Sequence, residues 1–539
     1  MNKFGCKKLV FLQLLALFVT GCRVTPNREK QTKTATQSIT SAKTSSSSSE
    51  PSPSSSVPSL PLEKTKLDYT YDDYQAHNFA GADNCPLSGH PKLLVIPVWF
   101  NDSTTFISES SKELVRNDIE TSFVGSNEET GWRSVKTFYE EDSLGVLSLE
   151  ATVSEWYSIT SNYTAYGTDS NLTKTRSLID NAVAWYFENN PTDQRSNYDS
   201  NADGFMDGVM LVYAAPDCVS LENTKYSNLW AYCYWTDNKA NVDNPTAKSF
   251  FWASYDFMYD SMVAMERTGT SPYGGGDCRY INIDAHTYIH EMGHVLGLDD
   301  YCDKGGLFPA GGFSMQDYAM GGHDAYSVMA LGWAEPYIPT SSNTITIHDF
   351  ASSHDVILLA NHEVNSTFDE YILIELFTPT GLNQLDCDHA YDGYPIGPSK
   401  PGIRVWHVDA RLTYVKNMTP LKITYSSELI TNPDYPDTDY GIYSAMANSY
   451  STAYASVLGS NYYNYNLLQL IRNDEITTYR PDNWVGDSDL FYAGDTFSMQ
   501  TYKNQFYKTG KMNNDQNLGW SFTVNSISNN QAEITIIKE

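Results

Sequence analysis

The chain has 539 residues and a net charge of −30, and its length allows two or three hydrophobic cores. The charge is uneven, because residues 1–66 carry ten basic and three acidic side chains. The other 473 residues carry 25 basic and 62 acidic ones, a net −37. A folded body that acidic repels nucleic acid and anionic lipid surfaces, so we expect neither to be its binding partner.

The first 22 residues have the anatomy of an export signal. Three lysines near the start precede an apolar run over 9–19, which is too short to cross a bilayer. The run ends in VTGC (19–22), which resembles a bacterial lipobox, where the cysteine becomes the lipidated first residue. We therefore predict a lipoprotein signal peptide over 1–22 and lipidation at Cys22. The alternative is an ordinary secretory signal with an incidental cysteine.

Residues 23–66 are rich in Ser, Thr, Pro and Lys and offer almost nothing to bury. This composition predicts a disordered tether. A flexible chain of about 40 residues spans on the order of 35 Å, so the folded body would stand clear of the membrane. We expect an exported protein that is anchored by its lipid at the outer face of a bacterial cell membrane.

The next segments alternate between strand and helix signals. KLLVIPVWFND (92–102) and GVMLVYAA (208–215) are continuous apolar runs, as expected for strands that are buried on both faces. SLIDNAVAWYFEN (177–189) has the spacing of a helix with one buried face. The alternation predicts an α/β domain over 67–340.

An acidic loop precedes the second of these strands. Oxygen-bearing residues at alternate positions, with a glycine after the third, resemble the first half of an EF-hand loop. The residues that would bind calcium are Asp199, Asn201, Asp203, Phe205 (through its carbonyl oxygen) and Asp207. The closing glutamate of an EF-hand is missing, so the loop would be a shortened one. The alternative is a plain Asp/Gly turn.

HEMGHVLGLDDY (290–301) contains the strongest signal in the chain. Asp284 is placed to cap a helix from about 285 to 296, and Gly297 is placed to end it. His290 and His294 then lie one turn apart on the same side of the helix, the spacing with which two imidazoles bind one zinc ion.

The neighbouring acids complete a catalytic zinc site. After the chain reverses at Gly297, Asp300 can supply the third ligand, and a fourth position stays open for water. Glu291 lies beside the histidines and is the expected general base, which takes a proton from the zinc-activated water and delivers it to the leaving amine. Asp299 competes for the role of third ligand, although the spacing favours Asp300.

The segment HEMGHVLGLDDY, which has the form HExxHxxGxxD, resembles the immune-inhibitor-A-like secreted metallopeptidases, which are related to the metzincins. MQDYAMGG (315–322) is similar to their methionine turn, with Met320 as the methionine, and 402–410 and 488–497 resemble segments of their C-terminal β region. The resemblance implies a metzincin-like zinc endopeptidase domain over 67–340, acting on proteins or peptides. Related proteases carry a similar acidic loop, which favours a structural calcium ion in addition to the zinc.

Beyond residue 339 the sequence consists of short β-type runs between Asn, Asp, Gly and Pro clusters. The runs are NTITIHDF, DVILLAN, EYILIELF, GIRVWHVDA, WSFTVNSIS and AEITIIKE. They predict a β-rich, sandwich-like C-terminal region over 341–539.

Six cysteines remain after Cys22, and six cysteines permit 15 pairings. Cys278 and Cys302 bracket the HExxH segment and are a candidate pair. The sequence before the first strand is too short for a large folded propeptide. It therefore does not explain how such an enzyme would be kept inactive. For Cys85 we expect a disulfide or a plain thiol, and a thiolate plug on the zinc is the alternative.

Several other tyrosines and histidines have candidate roles that we discount. Any one of three tyrosines could stabilise an oxyanion, but packing is the expected role of each: Tyr301, Tyr318 and Tyr326. Three histidines are expected to be structural: His286, His323 and His407.

We therefore expect a monomeric, lipid-anchored zinc endopeptidase with Glu291 as its base. One alternative is a catalytically silent, metal-containing lipoprotein that binds partners at the cell surface. Its weakness is that a silent scaffold has no need of Glu291. A zinc hydrolase for substrates other than peptides is the second alternative, and no sugar- or phosphate-specific motif supports it.

Overall fold

The computed structural model describes most of the chain after residue 84. The described residues are 62–67, 85–259, 261–270, 281–303, 306–391, 393–416, 419–424, 440–444, 446–448, 464–474, 478–528 and 530–539. The predicted signal peptide with Cys22, most of the predicted tether, and Cys278 lie outside the described residues. Within the described part, no helix is both long and apolar enough to cross a membrane.

Helices are concentrated in the first half of the chain and strands in the second. The α-helices of the described part are α1 (Lys112–Val124), α2 (Asn127–Thr130), α3 (Val135–Asp142), α4 (Tyr163–Gly167), α5 (Thr173–Asn189), α6 (Ser261–Thr268), α7 (His286–Val295), α8 (Met315–Tyr318), α9 (Ala325–Ala330), α10 (Phe350–Ser353) and α11 (Gln384–Asp388). The strands are β1 (Lys92–Trp99), β2 (Glu150–Val153), β3 (Tyr157–Ser158), β4 (Val209–Tyr213), β5 (Tyr232–Trp235), β6 (Ser249–Ser254), β7 (Asn343–His348), β8 (Val356–Leu359), β9 (Glu370–Phe377), β10 (Gly402–Asp409), β11 (Leu412–Lys416), β12 (Thr419–Thr424), β13 (Tyr440–Ser444), β14 (Leu468–Ile471), β15 (Thr496–Ser498), β16 (Trp520–Ser528) and β17 (Gln531–Lys538).

The first sheet has the strand order β2-β1-β4-β6-β5, and β3 also pairs with β1. β1, β2, β4 and β6 run parallel, whereas β5 is antiparallel to β6. Both predicted buried strands are confirmed as β1 and β4. Their apolar runs are continuous because both faces of the sheet are covered by other elements.

Each face of this sheet belongs to its own hydrophobic core. On one face, Met210 and Val212 of β4 pack in a core with side chains of α1, α3 and α7. On the other face, Leu211 and Tyr213 pack in a core with α5, the helix predicted at 177–189. The helix that carries the HExxH motif is thereby fixed against one side of the sheet.

The described residues of the C-terminal half form three antiparallel sheets, ordered β14-β10-β9-β8, β15-β16-β17-β7 and β12-β11-β13. The first two face each other across a shared core, to which β9 contributes Ile372 and Ile374. The alternate side chains Tyr371 and Leu373 point into the core of the first domain. The chain is therefore an α/β unit followed by a β-rich, sandwich-like region, as expected at that level of detail.

The predicted tether ends earlier than residue 66. Lys64 forms a β-bridge with Tyr337, and its Nζ lies 2.8 Å from Asp355 Oδ1. Thr65 N donates to the carbonyl of Pro336, and Leu67 is buried. Residues 62–66 thus lie against the folded body, where Lys64 pairs with the buried carboxylate of Asp355.

Candidate metal centre

Helix α7 is amphipathic, with apolar side chains on the side that faces the main core and the two histidines of the motif on the other side. Ile289, Met292 and Leu296 are fully buried in the main core, as their spacing predicted. The predicted cap differs in detail, because Ala285 occupies the N-cap position. Asp284 instead accepts a hydrogen bond at 2.9 Å from the backbone N–H of His286, in the first turn of the helix.

Gly297 ends the helix with a Schellman motif and turns the chain back. Its φ is +109°, a conformation that suits glycine. Its N–H donates to His294 O at 3.1 Å, and Leu298 N donates to Gly293 O at 3.0 Å. This reversal brings Asp300 to the face of the helix that carries the histidines.

The two histidines and Asp300 form a compact triangle of donor atoms. Asp300 Oδ1 lies 3.1 Å from His290 Nε2 and 3.3 Å from His294 Nε2, and the two Nε2 atoms are 3.2 Å apart. A tetrahedral zinc ion with ligands at about 2.0–2.1 Å separates them by about 3.3–3.4 Å. Among the described residues this is the one such cluster of His, Cys, Asp or Glu ligand atoms, and its size fits zinc.

Both imidazoles are oriented by hydrogen bonds on their far side. His290 Nδ1 donates to the carbonyl of Met315 at 2.7 Å, and His294 Nδ1 donates to the carbonyl of Leu298 at 2.7 Å. These bonds place a proton on each Nδ1 and leave the Nε2 lone pairs aimed into the triangle. Three acceptor atoms that face one another in this way form an arrangement that could hold a cation.

The pKa shifts of His294 and Asp300 are also those expected of a site that attracts positive charge. Burial alone would lower the pKa of His294, but the carboxylate of Asp300 raises it to about 10. Burial would raise the pKa of Asp300, and the two histidines outweigh it and hold that pKa well below its usual range. The site thus favours added positive charge among its donors, which is the condition that a bound metal cation meets.

Glu291 lies beside the triangle and is not one of its members. Its side chain is 3% exposed, and burial raises its pKa to about 7, although His294 opposes this. Its Oε2 has no hydrogen-bond partner among the described residues. A buried carboxylate oxygen without a donor is costly, and a water molecule in the open position of a metal would satisfy it.

The sequence left open two other metal contacts, Asp299 as third ligand and Cys85 as a thiolate plug, and neither lies where Asp300 does. Asp299 is not part of the donor cluster, and its carboxylate is hydrogen-bonded to Ser444. Cys85 is fully buried in the main core, and its Sγ is not in the cluster either. The geometry therefore favours Asp300 as third ligand and gives no support to a thiolate plug.

The segment that resembles a methionine turn packs against helix α7. Met320 is fully buried in the main core, after the left-handed residue Ala319. The contact with the site comes from residues that the sequence did not single out. They are Met315, whose carbonyl holds His290, and Gln316, whose Nε2 donates to His290 O at 3.3 Å.

Gln316 connects the site to a buried polar pair. His323 Nε2 lies 3.2 Å from Gln316 Oε1, and His323 Nδ1 lies 2.7 Å from Asp142 Oδ2. A Cβ atom on Gly293 would come within 2.2 Å of Gln316 Oε1, so the glycine makes room for the amide. Gly293, inside HEMGH, was the feature of the sequence that could have predicted this contact, because a glycine within a helix leaves room for another side chain.

The discounted histidines and tyrosines have structural partners. His286 lies between Asp284 and Asp386, and His407 pairs with Glu370 at 2.9 Å. Tyr301 OH is 2.9 Å from Ser327 Oγ, and Tyr326 is fully buried. Tyr318 is half-buried and packs against Phe308 and Trp484.

Cys302 is disulfide-bonded, and its partner lies outside the described residues, as the candidate Cys278 does. Four other cysteines carry thiols: Cys85, Cys218, Cys233 and Cys387.

The five predicted calcium ligands lie close together in the sequence. Their carboxylates accept hydrogen bonds from backbone N–H groups. Asp199 accepts from the N–H groups of Asp203 and Gly204 at 3.0 Å each, as in the first half of an EF-hand loop. Asp203 accepts from Phe205 N at 2.8 Å, and Asp207 accepts from Lys92 N at 2.8 Å. The remaining member, Asn201, donates from Nδ2 to Asp203 Oδ2 at 3.0 Å.

These three carboxylates do not converge as a tight donor cluster in the way that His290, His294 and Asp300 do. Calcium binding here stays a prediction.

The chain matches no known protein-family model and no curated protein. The case for its function therefore depends on the residues and their geometry.

We predict that calcium stabilises the protein if the acidic loop binds it. At a calcium concentration 100 times the Kd, binding adds about 2.7 kcal/mol to the free energy of unfolding, and Tm rises. Asp203→Asn removes one charge and should abolish most of this rise. The measurement is Tm by scanning calorimetry with calcium and with a chelator, and the exposed Asp482→Asn is the control. An equal calcium effect in both variants would contradict the assignment of the loop.

Proposed function

We propose that this protein is a zinc endopeptidase with a metzincin-like catalytic domain, exported and anchored by a lipid on Cys22. The observation that carries the proposal is the donor triangle of His290, His294 and Asp300 with the unpartnered Oε2 of Glu291 beside it. A structural zinc site would have four protein ligands, whereas three ligands and a nearby base are typical of hydrolytic zinc sites.

The surrounding fold supports a peptide as the substrate. Helix α7 packs against β5 and β6, and β5 is the antiparallel strand at one end of the first sheet. Extended peptides commonly bind by adding a strand to such an end strand. The order of the motifs along the chain, from HEMGHVLGLDDY through the methionine-turn segment to 402–410 and 488–497, also resembles that of immune-inhibitor-A-like metallopeptidases.

In the proposed mechanism, the ligands and the base have separate tasks. Zinc in a site of this kind activates water and polarises a carbonyl group. His290 and His294 are held for this by Met315 O and Leu298 O, so their Nε2 atoms need no reorientation when the metal binds. Glu291 accepts the proton of the attacking water on its carboxylate and delivers it to the departing amine. A pKa near 7 suits a group that must both accept and release a proton.

The competing function is that of a silent, metal-containing surface lipoprotein. Such a protein would gain nothing from a buried carboxylate with a raised pKa beside the metal ligands, because burying Glu291 without a partner destabilises the fold. The calcium ion in the acidic loop, the monomeric state and the cell-surface location complete the proposal.

We expect the purified protein to hydrolyse unfolded casein in the presence of zinc and calcium. A zinc chelator should stop the reaction, and zinc added in slight excess should restore it while calcium is kept constant. The measurements are peptide release and the zinc content of the protein. A protein that binds one zinc ion and leaves casein and a mixed peptide library intact would favour the silent lipoprotein.

A further inference from the structure

The segment that follows Asp300 is bound by the C-terminal β-rich region. Backbone hydrogen bonds connect residues 308–311 with residues 470–485. They run from Phe308 N to Pro481 O at 3.0 Å, from Leu470 N to Pro309 O at 2.8 Å, and from Val485 N to Gly311 O at 2.8 Å. The loop thus runs along the outer side of β14, which is the end strand of its sheet.

Two consecutive glycines let the chains approach this closely. Gly311 and Gly312 have φ of +90° and +83°. A Cβ atom on Gly311 would lie 3.1 Å from Leu470 Cδ2, and one on Gly312 would lie 2.9 Å from Trp484 Cδ1. The loop is therefore shaped to fit the C-terminal region.

Buried arginines strengthen the same contact. Arg472 has a fully buried side chain, and its Nη2 donates to Phe308 O at 3.2 Å and to Asn483 O at 2.7 Å. Arg480 forms a buried ion pair with Asp303, three residues after the predicted zinc ligand. Breaking such a pair leaves an uncompensated charge, so the loop is strongly held in place.

Asn448 contacts the backbone of the residue that follows the predicted ligand. Its side chain is 2% exposed, and its Nδ2 donates to Tyr301 O and to Leu468 O at 2.7 Å each. Its Oδ1 accepts from Leu468 N at 3.1 Å, so the orientation of the amide is fixed. Tyr301 N, on the other side of the same residue, donates to Gln316 O at 2.8 Å.

The backbone next to Asp300 is consequently fixed on two sides. The methionine-turn segment holds the N–H of Tyr301, and the C-terminal region holds its carbonyl. Asp300 Oδ1 must stay within 3.1 and 3.3 Å of two nitrogens to complete the donor triangle. A shift of the following peptide would move this oxygen away from both.

We propose that Asn448 is a positioning residue for Asp300, and that the C-terminal β-rich region is thereby an integral part of the metal centre. The proposal depends on the proposed zinc function, since it assumes that Asp300 is a ligand. Groups that orient a metal ligand typically contribute 10–100-fold to metal affinity. Asn448 acts in this way through the backbone of Tyr301.

The test is the zinc affinity of Asn448→Ala and Asn448→Asp in the full protein. Aspartate keeps the shape of asparagine but cannot donate to the two carbonyls. We expect zinc to bind about 10–100-fold more weakly in both variants, measured by competition with a chromophoric chelator. The visible spectrum of the cobalt-substituted protein should change as well, because it reports the ligand geometry. Asn525→Ala, an exposed asparagine of β16, is the matched control.

A lower Tm with unchanged zinc affinity and an unchanged cobalt spectrum would overturn the proposal, since Asn448 would then be merely structural. If Asn448→Ala does not fold, Asn448→Asp and Asn448→Gln decide the question by the same two readouts. A wild-type protein that binds no zinc would overturn the proposed function itself. Normal binding by the wild type and by the variants would overturn only the role of Asn448.

Discussion

Replacing Glu291 by alanine is expected to slow casein hydrolysis by about 10²–10⁴-fold while the protein keeps its zinc ion. The carboxylate is buried beside the donor triangle without being part of it, so its loss removes the proposed base and leaves His290, His294 and Asp300 in place. Removing a buried carboxylate without a partner should also leave the stability unchanged or raise it. The measurements are initial rates, zinc content and Tm, and the exposed Glu140→Ala is the control.

The pH dependence gives a second test of the same base. Glu291 accepts a proton only when it is ionised, so the rate should fall as the pH drops below its pKa. Burial raises this pKa to about 7, and a cation in the site lowers it, so the midpoint should lie no higher than about 7. An active Glu291→Ala variant with the wild-type pH profile would show that another group is the base.

The parts of the site that the sequence predicted are those set by local geometry. The 3.6-residue period of a helix places His290 and His294 together, and Gly297 permits the reversal that returns Asp300. The strands β1 and β4 were predicted from continuous apolar runs, and β9 and β10 from short β-type runs.

Contacts between distant parts of the chain were not predictable in this way. Asn448 lies 147 residues from Tyr301, and Gln316 lies 26 residues from His290. Hydrogen bonds over such separations depend on how the sheets pack, and no local spacing encodes that packing. The predicted end of the tether, residue 66, was too late for the same reason. Lys64 is held by an ion pair with Asp355, which lies 291 residues away in the sequence.

Replacing Asp300 by asparagine is expected to weaken zinc binding by more than about 100-fold, beyond the 10–100-fold range of groups that only orient a ligand. Asparagine keeps the shape of the side chain and removes the negative charge that faces His290 Nε2 and His294 Nε2 at 3.1 and 3.3 Å. Hydrolysis should be lost at zinc concentrations that saturate the wild type and partly return at higher ones. Zinc affinity by chelator competition and rates over a zinc titration are the two measurements.

Asp299→Asn is the matched control, because it makes the same substitution at the adjacent residue. The carboxylate of Asp299 is outside the donor cluster and is hydrogen-bonded to Ser444, so its variant should retain zinc and activity. The reverse result, with zinc lost from Asp299→Asn and kept by Asp300→Asn, would reassign the third ligand. Loss in both variants would indicate that the two acids hold the metal together. Only the expected pattern leaves the triangle of two histidines and Asp300 as the complete set of protein ligands, with one position open for water.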